Sequence, residues 1–203
     1  MKLLVRPPQI IRSIYKDSVW RMSKNDPLIY LTFDDGPIPE LTPWVLDVLK
    51  QYGVKATFFC VGENIVKNQE IFERIKQEGH QVGNHTHNHI KGWEVSTTAY
   101  HENVEKCQEF TRTNLFRPPY GRIKKSQFKM ISEKYKVVFW DVLSYDYDRL
   151  ISPKKCLDNC LRYTRNGSII VFHDNMKAEQ NLKFALPHYI EHFLKLNYKF
   201  AAL

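Results

Sequence analysis

Short apolar runs alternate with amphipathic segments along most of the chain. Apolar and β-branched runs, which are typical of buried strands, lie at 28–33, 54–61, 81–84, 115–117, 137–142 and 168–173. Residues that are apolar at every third or fourth position, the helical period, mark the intervening segments at about 42–52, 68–79, 96–110, 126–135 and 153–167. We expect a last helix and strand before residue 203.

Repeated strand and helix units are typical of a largely parallel sheet covered by helices. We therefore expect an α/β fold, and we favour a distorted (β/α) barrel over an open, doubly wound sheet. Residues 28–203 are expected to form this single domain, and residues 1–27 an N-terminal extension that packs on the barrel. Helix signals support the boundaries, since Pro43 suits a first helical position and Asn68 suits a helix cap.

Composition narrows the class of protein. Of the 203 residues, 43% are hydrophobic and 13% are aromatic, which excludes a disordered or repetitive chain. A chain of this length buries roughly 70% of its unfolded surface on folding, so its core needs no disulfide or metal to hold it together. A metal in this protein would therefore serve chemistry.

The net charge and the N-terminal residues give expectations for the binding partners of the protein and for its location in the cell. The formal net charge is +8, which attracts anionic polymers without specifying a reaction. The longest early apolar run is 3–5, too short for the core of a signal peptide, and no run reaches the ~18 apolar residues of a membrane span. We expect a cytoplasmic protein without a transmembrane segment, with association with the cell envelope as the alternative.

Two adjacent carboxylates follow the first predicted strand. Asp34 and Asp35 stand in the sequence Thr-Phe-Asp-Asp-Gly-Pro, where an apolar strand runs directly into a turn. Active sites of parallel α/β folds assemble at the carboxyl-terminal ends of strands. Asp-Gly is also common in ordinary turns, but a pair of carboxylates at this position indicates a site.

Three of the eight histidines lie within five residues, directly after the third predicted strand. His85 and His89 are four residues apart, so on one turn of helix they would face the same way, as two ligands of one metal must. With Asp35 they would supply one oxygen and two nitrogens and leave positions open for water and substrate. This donor set predicts a divalent metal; zinc is expected, with cobalt, manganese and iron as alternatives.

Two further segments supply what a metal-dependent hydrolase needs. Residues 117–121, Arg-Pro-Pro-Tyr-Gly, place a permanent cation and an aromatic ring on a stiff loop, and the strand at 168–173 ends in His173. Each has an ordinary explanation when taken alone. An arginine beside prolines usually lies on a surface loop, and a histidine at a strand end is often a core residue with satisfied hydrogen bonds. The two segments become informative because they follow the aspartate pair and the histidine motif in order along the chain.

In this order the four segments resemble the polysaccharide deacetylase family, also called the NodB-homology domain or carbohydrate esterase family four. The resemblance runs from about residue 29 to residue 173. Thr-Phe-Asp-Asp-Gly-Pro matches the family's first motif, 85–89 the second, 117–120 the third and 171–173 the fifth. The resemblance implies a distorted (β/α) barrel and a metal-dependent hydrolase. Such an enzyme removes acetyl groups from N-acetylated, or sometimes O-acetylated, sugars such as those of peptidoglycan or chitin-like oligomers.

The fourth motif departs from the family's Asp-Ser-x-Asp-Trp. Here residues 143–147 read Leu-Ser-Tyr-Asp-Tyr, so Leu143 replaces the first aspartate and Tyr147 replaces the tryptophan. Asp146 keeps the acidic position that the family uses to orient its catalytic histidine. Val171 stands where the family prefers leucine, in the apolar slot for the acetyl methyl group. These departures leave the chemistry in place and change the wall of the substrate pocket.

Amide hydrolysis needs a strong nucleophile, stabilisation of the developing oxyanion and a proton for the departing amine. We expect the metal to activate a water and Asp34 to take the proton of that water. The backbone N–H of Tyr120 would help to hold the oxyanion, and His173 would protonate the leaving nitrogen. The resemblance implies that Arg117 holds Asp34 and that Asp146 pairs with His173, a pairing that raises the pKa of the histidine.

Two other classes of function are consistent with the sequence. A small-molecule amidase of the same fold, acting on a cyclic amide, would use the same residues. A non-catalytic module that binds carbohydrate or nucleic acid would suit the basic residues Arg122, Lys124, Lys125 and Lys129, although a solvated helix face explains these charges equally well. The paired aspartates beside the histidines favour the enzyme. We therefore expect an N-acetylated carbohydrate as the partner and no nucleic acid.

Overall fold

The computed structural model describes residues 4–203, and within them eight parallel strands form one curled sheet. The strands are β1 Leu28–Asp34, β2 Thr57–Cys60, β3 Gln81–Asn84, β4 Leu115–Phe116, β5 Lys136–Val137, β6 Val142–Leu143, β7 Ile169–His173 and β8 Lys199–Phe200. Seven of them follow the order β5-β4-β3-β2-β1-β7-β6, and β8 pairs with the start of β1. Strand β1 is therefore central, with β2 on one side and β7 on the other.

One helix, α1, precedes the first strand, and the other helices lie between strands along the chain. They are α1 Gln9–Ile14, α2 Thr42–Gln51, α3 Gly62–Lys67, α4 Gln69–Gln77, α5 Thr97–Thr111, α6 Lys125–Ser132, α7 Pro153–Tyr163 and α8 Glu179–Lys195. This arrangement confirms the expected α/β barrel. The barrel is incomplete, because no pairing joins β5 to β6 among the described residues. No helix in residues 4–203 is both long enough and apolar enough to cross a membrane.

The side chains of β1 alternate between two environments, as the pleat of a strand requires. Three alternate residues belong to the core shared with α2 and α8: Ile29, Leu31 and Phe33. Tyr30, on the opposite face, belongs to a separate cluster inside the barrel. Thr32 and Asp34 lie two and four residues after Tyr30, so their side chains are on the same face of the strand as Tyr30. The strand therefore delivers Asp34 to the interior of the barrel at its carboxyl-terminal end.

The predicted strand at 137–142 is wrong in extent. The structure has two short strands here, β5 and β6, on the two edges of the sheet. Between them the backbone changes partners: the N–H of Phe139 donates to the carbonyl of Val19 (2.8 Å), and the N–H of Asp141 donates to that of Ile169 (3.0 Å). Most of the apolar side chains of this run stay buried although the backbone changes its hydrogen-bond partners. The hydrophobic pattern therefore does not show where β5 ends and β6 begins.

Helix α3, which the sequence analysis missed, begins directly after β2. A Cβ on Gly62 would lie 2.4 Å from Nδ1 of His87, so a residue without a side chain lets the helix start beside the histidine motif. The predicted cap Asn68 precedes α4, but its side-chain amide donates to the carbonyls of Pro37 and Asn64 (both 3.0 Å) instead of capping the helix. These bonds tie α3 to the loop after β1.

The N-terminal segment, residues 4–22, contacts both edges of the sheet. Beside β6, the N–H of Leu143 donates to the carbonyl of Val5 (2.8 Å). Beside β5, the N–H of Val19 donates to the carbonyl of Val137 (2.8 Å). The segment therefore bridges the two edge strands that no direct pairing joins among the described residues.

A buried carboxylate at the amino-terminal ends of β6 and β7 fastens this segment. Asp141 is fully buried. Its Oδ1 accepts hydrogen bonds from Arg12 (2.8 Å) and Arg165 (2.9 Å), and its Oδ2 accepts from Arg165 (3.0 Å) and Ser168 (2.9 Å). Nε of Arg6 lies 3.4 Å from Oδ1. Burial disfavours the charged carboxylate, but the hydrogen bonds from Arg165 and Arg12 outweigh burial and lower the pKa of Asp141 to about 2. We refer to these five residues as the Asp141 cluster.

Candidate active site

The predicted site residues converge at the carboxyl-terminal ends of neighbouring strands. Asp34 and His173 lie at the ends of β1 and β7, and His85 and Arg117 directly follow β3 and β4. These strands share one parallel sheet, so their ends meet at one edge. A cavity of about 810 Å³ opens there. Its lining includes eight of the predicted residues: Asp34, Asp35, His85, His89, Tyr120, Tyr147, Val171 and His173.

The three predicted metal ligands lie together. One ligand atom from each of Asp35, His85 and His89 falls within 4.8 Å of the other two. Oδ1 of Asp35 is 3.1 Å from Nε2 of His89 and 3.6 Å from Nε2 of His85. Burial disfavours the charged form of Asp35, but the neighbouring imidazoles of His85 and His89 outweigh burial and hold the pKa of its carboxyl well below its usual range.

Hydrogen bonding also fixes which nitrogen of His85 faces the other donors. Nδ1 of His85 lies 2.8 Å from the backbone carbonyl of Arg117, and because a carbonyl only accepts, Nδ1 carries the proton. The other nitrogen, Nε2, points towards Asp35 and in the neutral imidazole carries the lone pair that can bind a metal. Histidines that bind metals commonly donate their other N–H to a carbonyl in this way. Two imidazoles and one carboxylate, so arranged, fit a divalent cation of the zinc type.

The two histidines converge without the helical turn that their spacing suggested. Residues 85–90 form a loop, in which Thr86 and His89 have positive φ angles of 66° and 55°. The side chain of Asn103 on α5 accepts from the N–H of His87 (2.9 Å), and Thr86 Oγ1 accepts from the N–H of Ile90 (3.2 Å). Residues 85–89 therefore form no helical turn, and bonds to α5 and within the loop bring His85 and His89 together.

Arg117 reaches across the interior of the barrel from β4 to β1, and its side chain is fully buried. Nη1 donates to Asp34 Oδ1 (2.6 Å) and to Thr32 Oγ1 (2.7 Å). Nε and Nη2 donate to the carbonyls of Val138 (3.2 Å) and Phe139 (2.9 Å). Every guanidinium nitrogen therefore has a partner, and the arginine is rigid. Its place in the interior excludes the alternative of an arginine on a surface loop.

This arginine fixes the orientation of Asp34, which is 4% exposed. One carboxylate oxygen, Oδ1, is taken by Arg117. The other, Oδ2, faces the cavity and lies 4.0 Å from Nε2 of His85. Asp34 thus presents one oxygen beside the three candidate metal ligands.

His173 and Asp146 form a pair on the β7 side of the cavity. Asp146 is fully buried. Its Oδ1 lies 2.7 Å from Nδ1 of His173, and its Oδ2 accepts from the backbone N–H of the same residue (2.7 Å). Burial alone would lower the pKa of His173, but the charge of Asp146 and its hydrogen bond, with smaller contributions from Asp35 and Asp34, raise it to about 9. At neutral pH His173 therefore carries a proton on each ring nitrogen.

The remaining predicted residues form the cavity wall. Tyr120 has a positive φ of 59° and is 51% exposed. Its backbone N–H donates to no acceptor within residues 4–203. The ring of Tyr147 meets that of His173 edge-on with centroids 4.9 Å apart. Val171 and Leu143, from β7 and β6, lie side by side in the sheet and supply apolar surface to the same cavity.

Three residues of the site were absent from the sequence prediction. Thr32 shares Nη1 of Arg117 with Asp34, and its place two residues before Asp34 on a strand was the available signal. Asn64 on α3 and Asn175 after β7 both donate side-chain hydrogen bonds to Asp35. Asn175 lies two residues beyond His173 at the same strand end. Asn64 carries no such signal, since it lies on the helix that the sequence analysis missed.

A family model described as polysaccharide deacetylase matches residues 21–138, more than half of the 203 residues. The chain belongs to the polysaccharide deacetylase family. The matched span contains the first three motifs and therefore Asp34, His85 and Arg117. The family resemblance is thereby confirmed, and Asp146 and His173 lie beyond the matched span.

Curated relatives of this family member have deacetylase names. A peptidoglycan-N-acetylglucosamine deacetylase of Bacillus cereus is 31% identical over 192 residues, which cover 91% of this chain and 90% of that protein. A second protein of the same name and organism is 40% identical over 152 residues, which cover 71% of this chain and 55% of the relative. The chain thus spans nearly all of one relative and about half of the other.

Solved structures share the fold. The crystal structure of a peptidoglycan N-acetylglucosamine deacetylase in complex with a naphthyl N-hydroxybenzamide has a TM-score of 0.88 and 33% identity, covering 95% of this chain and 94% of that one. The CE4 domain of a multidomain xylanase from the hindgut metagenome of Trinervitermes trinervoides has a TM-score of 0.78 and 31% identity, covering 88% of each chain. These similarities agree with the barrel predicted from the sequence.

Proposed function

We propose that this chain is a metal-dependent deacetylase that removes acetyl groups from the N-acetylated sugars of peptidoglycan or of related oligosaccharides. One observation carries the proposal. Three metal-type donors, Asp35, His85 and His89, share a cavity with an oriented carboxylate, Asp34, and a protonated imidazole, His173. The names of the relatives favour N-acetylglucosamine of peptidoglycan as the substrate.

The donor set supports a divalent cation, with zinc as the best match to two imidazoles and one carboxylate. Such a cation, when bound, supplies Lewis acidity that polarises a carbonyl oxygen and makes a nearby water more acidic. The other roles in the reaction belong to side-chain and backbone groups of this chain.

Asp34 is proposed as the general base. The base must take a proton from the water that attacks the acetyl carbonyl, and it must hold one orientation to do so. Arg117 occupies Oδ1 and leaves Oδ2 open to the cavity. Oδ2 therefore accepts the proton while the guanidinium stays bonded to the other oxygen.

His173 is proposed as the general acid. Asp146 holds Nδ1, so Nε2 is the nitrogen that can give a proton to the amide nitrogen as the carbon–nitrogen bond breaks. The pKa of about 9 keeps the imidazole protonated near neutral pH. The products are acetate and a free amino sugar.

Tyr120 is proposed to stabilise the oxyanion through its backbone N–H. The left-handed φ of 59° at Tyr120 turns this peptide away from the helical pattern of its neighbours. A fixed donor aimed at developing negative charge lowers the barrier of acyl transfer. The acetyl methyl group would then lie against Val171 and Leu143, with the ring of Tyr147 covering His173.

The proposal is tested with the purified chain loaded with zinc. We expect acetate release from N-acetylglucosamine oligomers or from peptidoglycan fragments. A chelator should abolish the release, and added zinc should restore it. Release of no acetate from any of these glycans by the zinc-loaded protein would contradict the proposal. Glycan binding without turnover would indicate a binding module instead, and turnover of cyclic amides alone would indicate the small-molecule amidase.

A further inference from the structure

Asp35 holds its place in an unfavourable backbone conformation. Its φ is 88°, in the left-handed region where residues other than glycine are strained by ~1–3 kcal/mol. The carbonyl of Asp35 accepts from the side-chain amide of Asn64 (2.7 Å). The next residue, Gly36, donates its N–H to Oδ1 of Asp174 (3.0 Å). Bonds on both sides of Asp35 therefore keep its backbone in this conformation.

The side chain of Asp35 needs a separate restraint, because a carboxylate can still rotate about its own bonds. Oδ1 faces the two histidines. Oδ2 accepts a hydrogen bond from the side-chain amide of Asn175, which comes from the turn between β7 and α8. A donor on Oδ2 fixes the plane of the carboxylate and directs Oδ1 towards His85 and His89.

The orientation of the Asn175 amide is itself determined. Its Oδ1 accepts from the backbone N–H groups of Lys177 (2.9 Å) and Ala178 (3.2 Å). The oxygen of the amide must face these two donors, so the NH₂ group must face Asp35. Asn175 therefore has two separable contacts, one to the turn through its oxygen and one to Asp35 through its nitrogen.

We propose that Asn175 is a positioning residue that sets the divalent-cation affinity of this site by orienting the carboxylate of Asp35. The inference rests on the proposed function in one respect, that Asp35, His85 and His89 bind a metal. Partners that orient metal ligands typically change metal affinity by about 10–100-fold when they are removed. Asn175 lies outside the motifs that carry the family resemblance.

Asn175→Ser and Asn175→Ala separate the two contacts of Asn175. A serine hydroxyl can still accept from the N–H groups of the turn, as serine does in such turns, but it is too short to reach Asp35. Alanine makes neither contact. Zinc affinity is measured by competition with a chromogenic chelator, and thermal unfolding of the metal-free proteins reports on the turn. Asn166→Ser, the same substitution at a half-buried position in the loop before β7, where the side-chain amide donates to the carbonyl of Lys24 (3.2 Å), is the matched control.

We expect both Asn175 variants to bind zinc about 10–100-fold more weakly than the unmodified chain, and only the alanine variant to unfold at a clearly lower temperature. Asn166→Ser should keep the zinc affinity. Wild-type zinc affinity in Asn175→Ser would overturn the inference, because it would show that Asn175 acts only through the turn. A third variant, His89→Ala, tests whether Asp35, His85 and His89 bind zinc at all. If His89→Ala binds zinc as tightly as the unmodified chain, the proposed function is contradicted, whatever the result for the Asn175 variants.

Discussion

Two buried aspartates in this barrel form ion pairs with arginine, and they differ in how many of their oxygens are occupied. Asp34, at the carboxyl-terminal edge of the sheet, bonds to a single arginine through Oδ1. Asp141, at the amino-terminal edge, has both oxygens bonded, to arginines from the N-terminal segment and from the loop before β7 and to Ser168. Asp34 borders the cavity, and Asp141 does not.

The number of occupied oxygens distinguishes a carboxylate that is available to accept a proton from one that holds the fold together. A general base needs an oxygen that is oriented but unoccupied, and Oδ2 of Asp34 accepts no hydrogen bond from residues 4–203. In the Asp141 cluster each carboxylate oxygen of Asp141 already accepts two hydrogen bonds. A proton can therefore bind to Asp141 only when one of these hydrogen bonds breaks. The same residue pair, aspartate and arginine, thus orients the proposed base at one end of the barrel and fastens the N-terminal segment at the other.

The largest effect is expected from Asp34→Asn. The amide keeps an oxygen for Arg117 but cannot take a proton, so kcat for acetate release should fall by roughly 10²–10⁴-fold, the usual contribution of general acid–base catalysis. Zinc binding should persist. The measurements are kcat and zinc stoichiometry. Asp141→Asn is the matched control, and its kcat should stay normal at a temperature where it is folded. A fully active Asp34→Asn enzyme would remove Asp34 from the base role.

Asp141→Asn should instead reduce the free energy of unfolding. Removing the charge leaves the guanidinium groups of Arg12 and Arg165 without their counter-ion. Breaking a buried ion pair typically costs ~3–5 kcal/mol, and we expect about 3 kcal/mol because these arginines keep part of their surface in solvent. Urea denaturation measures the change.

The control for this stability effect is Asp158→Asn, in which an exposed aspartate loses its pairing with Lys154. Surface changes of this kind stay within about 0.5 kcal/mol. If the Asp141 and Asp158 variants were equally stable, the Asp141 cluster would not fasten the N-terminal segment.

A smaller effect is expected from Asp146→Asn, a shift in pH dependence. The carboxylate raises the pKa of His173 to about 9, so the acid form should be lost, and kcat/KM should fall, only as the pH rises through about 9. Without the charge, the pKa of His173 should drop and the falling limb should move to lower pH. The pH profile of kcat/KM measures this. A falling limb that stays at the same pH in the variant would show that another group sets it.

The smallest effect concerns acid unfolding. The pKa of Asp141 is lowered from 3.8 to about 2, so its contribution to stability is fully present above pH 3.8 and is lost as the pH falls through about 2. Unfolding free energies measured between these pH values should fall more steeply for the unmodified chain than for Asp141→Asn. Equal slopes in the two proteins would mean that Asp141 does not titrate differently in the folded and unfolded chains.

Much of the site was predictable because strand ends in a parallel sheet share one edge. Asp34, His85 and His173 each terminate or follow an apolar run, and topology alone brings them together. The expected pairings of Arg117 with Asp34 and of Asp146 with His173 came from the family resemblance. The distances agree with both pairings.

Other features lay beyond the sequence because they depend on contacts between distant segments. The loop that carries His85 and His89 takes its shape from Asn103 on α5, not from a local helical period. The run at 137–142 breaks into two strands because the backbone there also bonds to the N-terminal segment. Asn175, which donates a hydrogen bond to Asp35, is 140 residues away from it in the sequence. Hydrophobic patterns report burial and say little about such pairings.

The most direct test of the metal site is a crystal of the chain soaked in zinc, with diffraction recorded above and below the zinc absorption edge. We expect an anomalous peak about 2.0–2.2 Å from a carboxylate oxygen of Asp35 and from Nε2 of both His85 and His89. No peak at these three donors, or zinc bound only elsewhere on the molecule, would contradict this expectation.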